Sequence, residues 1–417
     1  MEDLLYLVHR IPWPPNKGDK IRSHHILRYL TQRYRVHLGT FIDDPADHAY
    51  VAELEEICTS VCARPLPRRR AQLRALSGLI TGEPLTLPWY RDRTLQRWVD
   101  HTLRSHDISR ALAFSSAMAQ YLPTSGDLTR VIDFVDVDSD KWTQYAPTRN
   151  WPMSAVYRRE GQRLLASERR MAESAHASVF VSPDEARAFR ERAPGVASRV
   201  HALNNGVDAD YFSPAAVAGA SPYPDGCRPI VFTGAMDYWP NVDAVLWFAD
   251  HVLPSLRESC PDVEFFIVGS RPAAEVLALA ERPGVTVTGF VDDIRVWIAH
   301  ARLAVAPLRI ARGVQNKVLE AMALARPVVA TPQALEGLTA EPDTEVIRAP
   351  ATPDAFLAAV SGELHDPTPE LGAAARERVL RDYDWERNLS RLEEMLQAKP
   401  LSPAHDAGVV SESADGL

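Results

Sequence analysis

Apolar residues in this chain fall into short runs, separated by longer stretches in which they recur at three- and four-residue intervals. Short apolar runs bounded by turn residues read as buried parallel strands, and the longer stretches as amphipathic helices. The first half carries such runs at Leu4–Val8, Val36–Ile42, Ser60–Leu66, Ala111–Phe114, Val131–Phe134, Ser178–Val181 and Val200–Leu203. The second half repeats the rhythm at Ile230–Thr233, Glu264–Val268, Val285–Thr288, Leu303–Ala306, Val328–Ala330 and Glu345–Arg348. Alternation of this kind predicts an α/β protein with two Rossmann-like domains, residues 1–205 and 206–382. Phe212–Pro229, rich in Ala, Pro and Gly, reads as the linker. A last helical pattern runs from Pro369 to Gln397 and is interrupted at Tyr383 and Trp385, so a separate helix is expected over about 383–398. The polar, acidic segment 400–417 is expected to be disordered.

Composition narrows the function. With 417 residues, 46% of them hydrophobic, the chain can bury two domain cores, which excludes disorder as its overall state. A net charge of −9 repels phosphate backbones, so no nucleic acid partner is expected. Four cysteines (58, 62, 227, 260) without a C-x-x-C spacing suggest neither a disulfide framework nor a zinc site, and hence a reducing compartment. The amino terminus lacks the charged lead and apolar core of a signal peptide, and no apolar run approaches the ~18 residues of a membrane span. A cytoplasmic location follows as the expectation. One segment, RPLPRRRAQLRAL at 64–76, carries five Arg and no acid. Such a run is either a solvated face or, through Arg64–Arg74, a peripheral contact with anionic lipid headgroups.

Lysine is scarce: only five stand among 46 basic residues, at 17, 20, 141, 317 and 399. Two of them fall in the loop after the first strand, Pro12–Arg22, where Gly18 permits close backbone approach and the following helix start offers free N–H groups to a phosphate. Lys17, Lys20 and Arg22 add charge there. A second loop, Asp133–Trp142, places four acids within eight residues beside Lys141. Its D-x-D spacing suits either a divalent metal or the orientation of a sugar hydroxyl. The third candidate is 306–338, where a loop with Arg309, Arg312 and Gly313 leads into a helix carrying Lys317 and Glu320 on one face. Glu320 can accept bonds from vicinal ribose hydroxyls and Lys317 can neutralise a diphosphate, although spacing alone favours a surface ion pair of small worth.

The stretch GVQNKVLEAMALARPVVAT at 313–331 resembles the K-x-x-E-A-M-A-x-G-x-P-V-V-A-T signature of retaining GT-B glycosyltransferases of glycosyltransferase family 4, with Ala325 where glycine is usual. Asn205–Asp208 with Phe212 and Pro214, Phe232–Asn241, Val287–Asp293 and Tyr383–Trp385 resemble further segments of that family in the same order. HRIPWPPNKGDKIRSHH and DFVDVDSDKW are similar to sugar transferases of exosortase (PEP-CTERM) and exopolysaccharide systems in bacteria.

The resemblance implies two domains facing a central cleft, with the carboxyl-terminal helix crossing back to the first. It implies transfer of a sugar, with retention, from a nucleotide-diphosphate donor to a saccharide or lipid-linked saccharide. Glu320 then holds the donor ribose, and Phe290, Val291 and Asp292 frame the base. Gly18, Lys17, Lys20, Gly234, Asn241, Gly313, Val314 and Lys317 surround the donor phosphates. Asp138 or Lys141 stands beside the transferred sugar. Arg312 occupies the place of a family glutamate that contacts donor hydroxyls, and it is expected to bind phosphate. No metal and no cofactor beyond the nucleotide-sugar co-substrate are implied. A sugar-nucleotide epimerase of the same fold and an inactive transferase-like assembly partner are the competing readings.

Overall fold

The computed structural model describes residues 1–15, 18–148, 150–311 and 313–398. Lys17, Arg312 and the 400–417 segment therefore lie outside the described residues. Two parallel sheets organise the rest. The first has the order β3-β2-β1-β4-β5-β6-β7, with β1 Glu2–Val8, β2 Tyr34–Ile42, β3 Ser60–Pro65, β4 Ile108–Phe114, β5 Thr129–Val135, β6 Ala177–Phe180 and β7 Val200–Ala202. The second has the order β10-β9-β8-β11-β12-β13, with β8 Arg228–Thr233, β9 Val263–Val268, β10 Val285–Gly289, β11 Leu303–Ala306, β12 Val328–Ala330 and β13 Ile347–Arg348. Every expected strand is present. At β13 the strand begins at Ile347 and not at the expected Glu345, because Glu345 is drawn into a turn by Arg378 Nε (2.7 Å) and the Glu341 amide (2.8 Å) instead of continuing a ladder.

The central strands of the first sheet, β2, β1, β4 and β5, are covered on both faces. Leu5 and Leu7 of β1 enter one core cluster, and Leu4, Tyr6 and Val8 enter the other, the period-two split a doubly covered strand must make. The second cluster is completed from the far end of the chain. Trp385, Leu389, Leu392 and Leu396 form one stripe of the helix Trp385–Leu396 and bury against the first domain. Tyr29 Oη donates to Glu393 (2.7 Å), and Arg33 pairs with Glu393 (3.1 Å). The crossing-back helix expected at 383–398 is thus a structural part of the first domain.

Where the chain passes between domains, the packing leaves no room. A Cβ on Gly206 would lie 2.6 Å from the Trp385 ring and 2.9 Å from Trp385 Cα. Gly206→Ala is therefore expected to cost about 1–3 kcal/mol by overpacking, read as a lower denaturant midpoint in equilibrium unfolding. An unchanged midpoint would contradict this account of the crossing.

A second glycine-like position explains itself. Ala325 has φ 54, the left-handed region. Its N–H bonds Met322 O (2.9 Å), and Arg326 N–H bonds Ala321 O (2.9 Å), which together close the helix Asn316–Ala323 in a Schellman motif. The motif favours glycine there, and alanine bears a local cost of roughly 1–2 kcal/mol.

Candidate active site in the interdomain cleft

In both sheets the strand order reverses beside the first strand of the domain, between β1 and β4 and between β8 and β11. Crevices open outside the carboxyl ends of the strands at such points. On the second domain, three neighbouring strands end in glycines with positive φ: Gly234 (152), Gly269 (153) and Gly289 (69). A Cβ on Gly269 would stand 1.7 Å from Gly234 O, so the two loops close on each other only because Gly269 bears no side chain. Gly269 escaped the sequence reading, although an apolar strand ending in Gly-Ser was there to be seen.

Above this floor the chemistry gathers. A Cβ on Gly234 would lie 2.6 Å from Asn241 Nδ2 and 3.3 Å from Lys317 Nζ. Lys317 donates to Asn241 Oδ1 and lies 4.5 Å over the Phe232 ring, while Asn241 Nδ2 donates to Ala235 O (2.9 Å). Gly234, Asn241 and Lys317, far apart in sequence, thus form one corner. Burial pushes the Lys317 ammonium down, opposed by Glu320, and pushes the Glu320 carboxyl up, opposed by Lys317. Glu320 lines a cavity of about 380 Å³ between the domains, together with His24, His25, Asp208 and Trp385. His25 stacks on Trp385 at 4.5 Å, and burial pushes both histidines down to about 4, so they are neutral near pH 7. Phe290, Val291 and Asp292 follow β10, two strands from Gly234, with Phe290 75% exposed.

The first domain faces this corner with the loop after β5. Val135 adopts φ 70, a strained conformation for a β-branched residue, and its N–H is held by Asp133 Oδ1 (3.1 Å). The turn brings Asp136 Oδ1 within 3.6 Å of where a Gly313 Cβ would stand, so the two loops meet across the cleft. Val314 lies beside Gly337, which in turn approaches Ser182 of the first domain. Lys141 Nζ donates to Asp136 (2.7 Å) and Asp138 (2.9 Å), and those carboxylates hold its ammonium up against the opposing effect of burial. Glu168, pushed up to about 8 by burial, accepts from Ser139 Oγ (2.6 Å) and fixes the start of the helix Asp138–Tyr145.

Asp138 lines a second cavity, about 630 Å³, with His9, Trp89, Tyr90, Ser115 and Trp142. His9 was not singled out from sequence. Its Nε2 stands 3.3 Å from Asp19, its ring stacks on Phe114 at 5.7 Å, and its buried Nδ1 has no hydrogen-bond partner among the described residues. Burial opposes ionisation of Asp19, but His9 and Arg10 outweigh it and keep the carboxyl far below the ordinary range.

Two basic residues assigned to the phosphate loop do other work. Lys20 is 1% exposed, with Nζ on Asp47 (2.6 Å) and Trp13 O (3.2 Å), so it is not available to a phosphate. Arg22 is equally buried, with Nε on Asp133 (2.8 Å) and Nη1 on Leu203 O and Asn205 Oδ1 (both 2.9 Å). Gly18 begins the helix Gly18–Thr31, and a Cβ there would meet nothing within 4 Å, which leaves the helix start open. The acids of 133–140 all have cationic partners: Arg22 for Asp133, Lys141 for Asp136 and Asp138, and Arg192 for Asp140 (2.7 Å).

Residues 228–366 match the family model described as glycosyl transferases group 1. No curated protein matches the chain in sequence. Among solved structures, sucrose-phosphate synthase from Thermosynechococcus elongatus superposes with a TM-score of 0.69 at 18% identity, over 95% of this chain and 98% of that one. WaaG, a glycosyltransferase involved in lipopolysaccharide biosynthesis, gives 0.63 at 15% identity over 94% and 99%. Anabaena HepE in complex with UDP and glucose gives 0.64 at 15% identity over 95% and 99%. The chain therefore has the two-domain GT-B fold, and its residues 228–366 resemble the glycosyl transferases of group 1.

Proposed function

We propose that the protein transfers a sugar from a nucleotide-diphosphate donor to a saccharide or lipid-linked saccharide hydroxyl, with retention, in bacterial exopolysaccharide biosynthesis in the cytoplasm. The observation that carries this reading is the corner of Gly234, Asn241 and Lys317, with Glu320 one helical turn from Lys317 and the Asp136–Lys141 loop opposite. HepE bound to UDP and glucose supports a nucleotide-sugar donor. As the glycosidic bond breaks, negative charge develops on the diphosphate, and a cation and amides already in place stabilise it without reorganising. Lys317, the Gly234 loop and the open helix start at Gly18 supply these, with Arg312 and Lys17 as the other basic candidates. Glu320 accepts from the ribose hydroxyls, Phe290–Asp292 border the base, and Asp138 contacts the transferred sugar. Donor screening with UDP-, GDP- and ADP-sugars tests the reading. Binding and slow hydrolysis of at least one is expected, and failure of all three classes to bind would overturn it.

The His9–Asp19 pair favours a second reading on stereochemistry. An imidazole oriented by a carboxylate is suited to take a proton from an acceptor hydroxyl, and attack assisted from the acceptor side would invert the anomeric carbon. The anomeric configuration of the product, read by proton NMR, decides between the two.

The basic segment is assigned to the membrane surface. The helix Arg68–Thr81 opens with exposed Arg68, Arg69 and Arg70, and it carries Leu73 (70% exposed), Leu76 (54%) and Ile80 (90%) on its outer side. Arginine at one end and an apolar stripe along the same face suit an anionic bilayer, on which the helix lies flat. Among the described residues no helix is long and apolar enough to cross a membrane. Full-length protein is expected to float with vesicles containing anionic lipid, flotation should weaken with added salt, and it should fall at least tenfold in Ile80→Glu and also weaken in Arg69→Gln/Arg70→Gln. Absent or salt-insensitive flotation would leave an ordinary solvated face.

A further inference from the structure

Three cavities on the first domain join end to end. The first is the 630 Å³ space at His9, Asp138 and Trp142. It shares Gln72, Trp89 and Tyr90 with a second of about 270 Å³. The second shares Asp43, Leu66 and Arg68 with a third of about 460 Å³, which ends at Asp44 and His48. Together they make one groove that leads from the cleft outward along the carboxyl ends of β1, β2 and β3.

The walls change character along the groove. Near the cleft they are aromatic, with Trp89, Tyr90 and Trp142. Farther out they are hydrogen-bonding, with Gln72, Arg10, Asp43, Asp44 and Arg68. An acyl chain fits poorly here, because it would strip water from the carboxylates at the outer end. A polyphosphate chain would meet like charge at Asp43 and Asp44. A chain of sugar rings suits both parts: C–H faces against the aromatic rings, and paired hydroxyls against carboxylate, amide and guanidinium groups.

We propose that the acceptor is a glycan of several residues, held with its reacting end at His9 and Asp138 and its body running past Tyr90, Trp89 and Gln72 to Asp43 and Arg68. The proposal rests on the glycosyl-transfer reading and specifies its acceptor. A single sugar would leave the second and third cavities empty.

The test is to apply labelled full-length protein, saturated with UDP, to an array of glycans of one to eight residues, then to titrate the best binder and its shortened forms by calorimetry. Affinity should rise at least tenfold from the monosaccharide to the tri- or tetrasaccharide and then level off. Asp43→Asn and, independently, Arg68→Gln should return the longer glycan to about monosaccharide affinity, with UDP binding as the check on folding. Length-independent affinity, or no glycan bound while UDP binds, would overturn the groove assignment. Failure of the wild type to bind any nucleotide while the length dependence holds would overturn the transfer reading instead and leave the groove standing.

Discussion

Lys317→Ala is expected to lower the rate of sugar transfer by about a hundred- to a thousandfold, the usual consequence of removing a group aimed at charge that develops in a transition state. Glu320→Ala should act differently, weakening nucleotide binding through the loss of charge-assisted bonds to ribose, each worth about 1.5–3 kcal/mol. The pair also fixes the pH profile. Burial pushes Lys317 down to about 7 in the empty site, so above that pH a diphosphate must bind together with a proton. Nucleotide affinity should then fall by up to tenfold per pH unit above about 7. Burial pushes Glu320 up to about 7, so on the acid side its carboxylate must be regenerated before it accepts from ribose, and affinity falls again. Lys317→Arg, whose guanidinium stays charged, should flatten the alkaline limb, and Glu320→Gln the acid limb. Nucleotide titrations between pH 5.5 and 9 read both limbs. A flat profile in the wild type, or unchanged affinity in both alanine variants, would remove the two residues from the donor site.

The second-domain corner of the candidate site was legible in the sequence for a physical reason. A strand buried on both faces, a glycine-ended turn and a helix with a cation and a carboxylate three apart are local patterns, and Gly234, Lys317 and Glu320 each sit in one. Charge near a phosphate-like loop is less readable, because its use depends on a partner elsewhere. Lys20 and Arg22 look free in sequence, yet one is held by Asp47 and the other by Asp133 of β5. His9 was invisible for the opposite reason. It ends an ordinary strand, and only the approach of Asp19, Phe114 and Tyr90 gives it a setting. The basic run at 64–76 was conspicuous in sequence, but the outward aim of Leu73, Leu76 and Ile80 between and after the arginines depends on which face of the helix Ala71, Ala75 and Gly78 bury.

Asp133→Ala is expected to destabilise the protein by about 3–5 kcal/mol, far more than a surface pair would cost, because it strands the Arg22 guanidinium in a site closed to water. Arg22 and Asp133 are 1% and 0% exposed, and Arg22 Nη2 already lacks a partner among the described residues. The pair ties together the parts the active site needs held in register. Arg22 belongs to the helix that Gly18 begins, and it reaches Leu203 O and Asn205 at the crossing between domains. Asp133 keeps its other oxygen on the Val135 amide, at the strained turn that sends Asp136 and Asp138 into the cleft. Tyr6 adds a bond from its hydroxyl to Ser23 O beneath them (3.2 Å). Replacing both charges, as Arg22→Met with Asp133→Leu, should recover most of the stability, since well-packed apolar side chains need no solvation. It should not recover transfer, because the Asn205 and Val135 contacts are lost with the charges. Urea unfolding of the two variants beside turnover of the double variant separates these roles. A single-variant loss below about 1 kcal/mol would show that the pair contributes little, and full activity in the double variant would show that it does not position the cleft.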